Sequence, residues 1–155
     1  METEVGVRTR DTEVGVRIRD TEVGERIIGI HGNYLVPVFI GGNNNVNNLG
    51  VARNLGRHGV PVILLDYERP SIARSSRYIS KKLACPNPSE SEIQYVDFLI
   101  KQGKQTDEKC VIIPTNDAAV LALSRYKEEL EEYYLLPVPS FKVVETLVNK
   151  KYFYQ

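Results

Sequence analysis

Residues 36–66, VPVFIGGNNNVNNLGVARNLGRHGVPVILLD, contain the pattern that decides the fold. A short apolar run rich in β-branched residues stands at each end, and such runs are typical of buried strands. Between them, Leu49, Ala52 and Leu55 recur at helical spacing, and Gly59 supplies a natural helix end. A strand, a helix and a second strand in this order predict the crossover unit of a parallel sheet.

The alternation of strand and helix patterns continues along the sequence. Ser89 and Glu92 have the spacing of a capping box, so we expect Ser89 to cap a helix that runs to about Gly103. The fold class is therefore predicted as α/β, a Rossmann-like open, mostly parallel sheet with helices on both faces. In a last helix, we expect an apolar stripe to cover the sheet; it consists of Val143, Val144, Leu147 and Val148.

Composition and charge exclude several classes of protein. Twenty basic and twenty acidic residues leave no net charge, and no basic stripe with interleaved aromatic residues occurs, so we expect no nucleic-acid partner. Cys85 and Cys110 lie far apart without a metal-ligand motif, so we predict neither a disulfide nor a metal site. Because the sequence has no long apolar stretch and a charged amino terminus, we expect a cytoplasmic protein without membrane association.

Residues 1–35 differ from the remainder because they contain a nonapeptide repeat. The copies TEVGVRTRD, TEVGVRIRD and TEVGERIIG begin at Thr3, Thr12 and Thr21. Each copy offers only two or three apolar side chains, too few to offset the entropy of ordering the segment. We predict a mobile tail, with an added β-ribbon as the alternative.

Ligands of open parallel sheets bind where the loops at the carboxyl ends of the strands converge. The first such loop, Gly41–Gly50, lacks the GxGxxG spacing and is either a ligand-contacting loop or a plain turn. The second begins at Asp66, a ribose-binding position in dinucleotide domains and also a residue that simply ends strands. In the third, Thr115–Asp117, capping of a helix by Asn116 or Asp117 explains one residue and ligand binding would explain the others. Arg53 and Arg77 are candidates to clamp a carboxylate or phosphate, although solvated arginines are common.

Four segments, in this order, resemble a known family: LGVARNLGRHGVPVILLD, SRYISKK, VIIPTND and VVETLVNKKYFY. The resemblance is to the pre-ATP-grasp domain of ATP-grasp carboxylate-amine ligases, near D-aspartate ligases and carbamoyl-phosphate-synthase-like proteins. It covers residues 36–155 and implies a Rossmann-like domain over 36–139, then a helix and the start of a linker over 140–155. Family members commonly carry Asp-Lys where this sequence has Asn149-Lys150.

In this family, ATP-grasp lobes hold ATP and Mg²⁺, a carboxylate is converted to an acyl phosphate, and an amine attacks it. The resemblance implies that this domain contributes to the cleft for a small-molecule carboxylate or amine. No lobes follow Gln155, so we expect a chain that is inactive alone, without catalytic residue, metal ligand or cofactor of its own. The chain is then a truncated gene product, a fragment, or a split-gene subunit whose partner supplies the lobes. The residues that the resemblance assigns to the cleft are Gly41, Gly42, Asn48, Leu49, Gly50, Arg53, Asp66, Thr115, Asn116 and Asp117.

Two other functions stay open at this point. A nucleotide-binding Rossmann module would need a tighter glycine loop than Gly41–Gly50. A non-catalytic interaction module would expose the face that docks the ATP-grasp lobes in the family. In an intact ligase, Tyr152, Phe153 and Tyr154 would bury against the next lobe. Without that lobe they are exposed, and we expect them to favour a homo-oligomer.

We expect a chain without residues 1–30 to keep the thermal midpoint of the full chain, because the repeats lack the apolar residues of a core. Thermal melts of both chains, followed by circular dichroism, check this. A midpoint that falls by more than a few degrees would contradict the expectation and would make the repeats part of the folded domain.

Overall fold

The computed structural model describes residues 4–9, 12–17, 36–41, 46–67 and 71–148. Its strands are β1 Glu4–Thr9, β2 Thr12–Arg17, β3 Val38–Gly41, β4 Val62–Asp66, β5 Ile79–Ala84, β6 Cys110–Ile113 and β7 Tyr134–Leu135. Its helices are α1 Val46–Arg57, α2 Glu92–Gly103, α3 Asp117–Arg125, α4 Lys127–Leu130 and α5 Phe141–Val148, with a 3-10 helix over Ile72–Ser75.

Strands β3 to β7 form one parallel sheet in the order β5-β4-β3-β6-β7. Strand β3 lies at the centre of the sheet. Strands β4 and β5 follow it on one side, and β6 and β7 lie on the other side. The strand order therefore reverses at β3, and the position between β3 and β6 is the topological switch point of the sheet. Val38 of β3 is level with Val62 of β4 and Val111 of β6, so the carboxyl ends of the three strands lie side by side.

Helices cover both faces of the sheet, and every residue of β3 and β4 is therefore buried. One face packs against α1 and the 3-10 helix through Val38, Ile40, Ala52, Val62, Leu64 and Ala73. The other face packs against α2, α3 and α4 in a larger cluster, which includes Phe39, Leu65, Leu99, Ile112, Leu123 and Leu130. The predicted fold class, an α/β Rossmann-like parallel sheet between helices, is confirmed.

The start of α2 differs from the sequence prediction. Ser91, not Ser89, is the N-cap, and its hydroxyl oxygen accepts a hydrogen bond from the Gln94 backbone N–H at 3.3 Å. The Ser89 backbone N–H instead donates to Oδ1 of Asn87 at 3.0 Å. The capping-box prediction was wrong because the Asn87 side chain organises a turn that takes up Ser89 before the helix begins.

The last helix packs differently from the predicted stripe. Val144 is buried, but Val143 and Leu147 remain 47% and 55% exposed. Helix α5 contacts α3, where the Arg125 guanidinium carbon lies 4.5 Å from the ring centroid of Phe141. The prediction that the whole stripe covers the sheet was wrong, because contact with a neighbouring helix buries a narrower strip of α5.

The first two copies of the repeat form a hairpin. Strands β1 and β2 pair antiparallel as a separate two-stranded sheet, which corresponds to the β-ribbon alternative for these copies. The third copy, Gly42 and the aromatic residues at 152–154 lie outside the described residues. The mobile tail therefore stays a prediction.

We expect Ser91→Ala to lower the free energy of unfolding by about 1 kcal/mol, because it removes the acceptor for the Gln94 amide. Ser89→Ala is the matched control, and it should change that free energy by less than about 0.5 kcal/mol. Urea unfolding followed by circular dichroism measures both. Equal losses in the two variants would contradict the assignment of the cap to Ser91.

Candidate functional site

Five residues meet at the switch point of the sheet. Gly41 ends β3, Tyr67 follows β4, Thr115 and Asn116 follow β6, and Asn48 lies in the first turn of α1. Four of them were predicted from the sequence as ligand-contacting residues, and contacts within 4 Å bring them together. We call these five residues the switch-point cluster.

Gly41 lies where the cluster is most crowded. A Cβ atom at this position would lie 2.9 Å from Oγ1 of Thr115 and 3.2 Å from the hydroxyl oxygen of Tyr67. The first distance is shorter than real Cβ contacts, so any larger residue would displace a neighbour. Glycine is therefore required at the end of β3 because the loops after β4 and β6 close over it.

Thr115 connects the loop after β6 to the start of α1. Its hydroxyl donates a hydrogen bond to Oδ1 of Asn48 at 2.7 Å, between residues that are 67 positions apart in sequence. Asn48 is fully buried, and a buried amide costs free energy unless it is hydrogen-bonded. The bond thus helps fix the start of α1 against the end of β6, and it gives Thr115 a role that helix capping did not supply.

Asn116 connects α3 to the loop after β4 by using both ends of its amide. Its Oδ1 accepts from the Ala119 backbone N–H at 2.8 Å, which confirms the predicted cap of α3. Its Nδ2 donates to the Tyr67 hydroxyl, also at 2.8 Å. The Tyr67 ring packs edge-on against Tyr95, with 6.3 Å between ring centroids. Tyr67 was not predicted as a site residue. Its position directly after Asp66, at the end of a predicted buried strand, was the one feature of the sequence that could have indicated it.

Asp66 has a partner outside the cluster. Its side chain is only 1% exposed and forms an ion pair with Arg74 of the 3-10 helix. Burial, with a smaller contribution from the Asp66 charge, raises the pKa of the nearby Cys85 thiol to about 12. Arg74 contacts Oδ2 of Asp66, so this carboxylate takes part in an ion pair within the chain. Sequence reasoning did not single out Arg74.

The other predicted residues on α1 and α3 are not members of the cluster. Leu49 is half-buried, whereas Gly50 and Arg53 are exposed on α1. A Cβ atom at Gly50 would meet nothing within 4 Å. Asp117 is exposed at the first position of α3, where its charge is favourable beside the positive end of the helix dipole.

Arg77 lies near the amino-terminal ends of the strands, opposite the switch-point cluster. It precedes Ile79, which is level with Val62 at the amino-terminal ends of β5 and β4. Its guanidinium donates to the Tyr78 hydroxyl at 2.9 Å. Arg77 therefore does not join the residues at the switch point.

The cluster consists of hydroxyl and amide groups, so its chemistry is hydrogen bonding. These groups can bind and orient a small polar molecule, and they also hold three strand-end loops together. Among the residues described above, no three His, Cys, Asp or Glu side chains come together as ligands for a metal ion. None of the described helices is both long and apolar enough to cross a membrane.

Comparison with known proteins bears on the fold. The sequence matches no described protein family and no curated protein. The structure is similar to that of N5-carboxyaminoimidazole synthetase from Staphylococcus aureus complexed with ADP, with a TM-score of 0.51 and 16% sequence identity. The similarity covers 76% of this chain and 28% of the synthetase, so this chain spans less than a third of that protein. At this identity the similarity establishes the Rossmann-like fold.

We expect Gly41→Ala to lower the free energy of unfolding by about 1–3 kcal/mol, because overpacking forces neighbours to move. The new methyl group would lie 2.9 Å from Oγ1 of Thr115. Gly50→Ala is the matched control; it adds a methyl group in open space within a helix and should stabilise the chain by up to about 1 kcal/mol. Chemical denaturation measures both variants, and a similar change at the two positions would argue against the close approach at Gly41.

Proposed function

We propose that this chain is the substrate-side domain of an ATP-dependent carboxylate-amine ligase of the ATP-grasp type. The main support for this proposal is that the polar residues of the switch-point cluster lie together with Gly41 at the switch point, namely Asn48, Tyr67, Thr115 and Asn116. Two further observations support it: the four sequence segments that resemble the pre-ATP-grasp domain, and the structural similarity to a synthetase that was solved in complex with ADP.

In this proposal the chain binds and orients the acceptor substrate. The Tyr67 hydroxyl and the Asn116 amide present polar groups at the carboxyl ends of β4 and β6. Helix α3 begins beside them, and its positive dipole end favours the carboxylate of a substrate. The exposed Asp117 carboxylate in the first turn would suit the amine of the same molecule. A small molecule that carries both groups fits this arrangement.

ATP and Mg²⁺ belong to the ATP-grasp lobes in this proposal, and those lobes come from outside these 155 residues. The described part of the chain has no group of acidic side chains that fits a metal ion. We therefore assign the phosphoryl chemistry to a partner or to a larger protein, and no step of it to residues of this domain. The chain alone is expected to be inactive.

Two structural observations weigh on the alternative functions. The Asp66 carboxylate pairs with Arg74, which disfavours the ribose contact of a nucleotide-binding Rossmann module. The exposed Val143 and Leu147 side chains on α5 favour a second candidate, a non-catalytic interaction domain whose partner covers that helix.

The ligand site is tested by titrating the isotope-labelled chain with glycine, β-alanine and both enantiomers of aspartate, each of which carries a carboxylate and an amine. We expect at least one of these to shift the amide NMR signals of Gly41, Thr115 and Asn116. Tyr67→Phe should weaken that binding by about tenfold, because it removes a hydrogen-bonding hydroxyl from the site. The matched control, Tyr78→Phe at the opposite edge, should leave it unchanged, and shifts confined to other regions would contradict the proposal.

A calorimetric titration with MgATP separates the alternatives. We expect no binding at millimolar concentration and no ATP hydrolysis by the chain alone. Micromolar affinity for ATP would favour the nucleotide-binding module, whereas binding of neither ATP nor the amino acids would favour the interaction domain.

A further inference from the structure

The nonapeptide repeat has a symmetry that the proposed function does not use. Residues 3–9, TEVGVRT, read the same in both directions about Gly6, except that Glu4 is matched by Arg8. Two antiparallel strands run in opposite directions, so this segment can pair with a second copy of itself. Like residues then lie opposite each other, and the two charged positions lie opposite charges of the other sign.

The hairpin shows this pairing between two copies of the repeat. Gly6 lies opposite Gly15, and the charged residues of β1 lie opposite residues of the other sign in β2. Because the copies repeat every nine residues, this register pairs the two copies symmetrically about their central glycines. The pairs are Glu4 with Arg17, Val5 with Val16, Gly6 with Gly15, Val7 with Val14, Arg8 with Glu13 and Thr9 with Thr12.

The second edge of β1 is open in the part of the chain that the structure describes, where β1 pairs only with β2. Open edges are sites for pairing with another strand, and an isolated two-stranded ribbon is only marginally stable. Edge strands are commonly protected by charged side chains, especially lysine. The charges on β1 have opposite signs at symmetric positions, Glu4 and Arg8, which makes this edge complementary to itself.

We propose that β1 pairs antiparallel with β1 of a second copy of this chain, about a two-fold axis at Gly6. Glu4 then lies opposite the partner's Arg8, and Val5 lies opposite the partner's Val7. The two hairpins form one four-stranded sheet, and the interface closes because each protomer contributes the same surface.

The first copy of the repeat is the one best suited to this pairing. In the second copy, Thr12 is matched by Ile18, and in the third copy, Val23 is matched by Glu25. The symmetric pattern is therefore complete only in residues 3–9, most of which lie in β1. This interface is independent of the ligand site and of the proposed ligase function.

Two double variants test the pairing. The first combines Glu4→Arg with Arg17→Glu, and the second combines Arg8→Glu with Glu13→Arg. Each variant keeps opposite charges within the hairpin and leaves the net charge of the chain unchanged. Each also gives positions 4 and 8 the same sign, so two identical β1 strands would place like charges opposite each other.

Sedimentation velocity on the full chain is the measurement. We expect the wild type to dimerise, and each variant alone to dimerise with a dissociation constant weaker by roughly tenfold or more. An equimolar mixture of the two variants should regain the wild-type affinity, because each protomer then meets a partner of opposite sign. This recovery also shows that the variant hairpins still form.

Three results would overturn the proposal. The wild type could be monomeric at high concentration, the two variants could dimerise as strongly as the wild type, or the mixture could fail to recover affinity. A dimer that resists both charge swaps but is lost on Tyr152→Ser, Phe153→Ser and Tyr154→Ser would assign the interface to the carboxyl-terminal aromatic residues instead.

Discussion

Burial of both faces of the central strands β3 and β4 is the constraint on which the domain depends. Successive parallel strands need crossover connections, and the helices of these crossovers cover both faces. The loops that leave the strands then gather at the carboxyl ends of the strands. Polar groups can be presented to a ligand there without interrupting the core. The position of the switch-point cluster thus follows from the burial of two mostly apolar strands.

The cluster links its loops through hydrogen bonds that also hold secondary structure in place. Thr115 fixes the start of α1 through Asn48, and Asn116 caps α3 while it holds Tyr67. A ligand that contacts these groups must either extend the existing bonds or replace them. Binding at this edge would therefore be coupled to the order of two helix starts, which is a means of positioning a substrate rigidly.

The sequence predicted the fold well because its decisive signals are local. Apolar runs and helical spacing over residues 36–66 fix the strand-helix-strand unit, and the switch-point rule then indicates which loops converge. Tyr67 and Arg74 could not be assigned, because each depends on a contact between different loops or elements. Ser89 has capping-box spacing to Glu92, but Ser91 is the cap, because the Asn87 side chain forms a turn with Ser89 before the helix begins.

The two cysteines lie at opposite edges of the sheet. Cys85 comes directly after the carboxyl end of β5, on the side of the switch-point cluster, and Cys110 begins β6 on the far side. Burial raises the pKa of Cys110 to about 11, with a smaller contribution from Glu108, and both side chains are therefore neutral thiols near pH 7. A thiol reagent reacts with the thiolate, so both thiols react slowly in the native fold, and the buried Cys110 reacts only when the surrounding structure opens. The rate at Cys110 therefore reports how often the amino-terminal end of β6 opens to solvent, and the half-buried Cys85 provides an internal reference in the same chain.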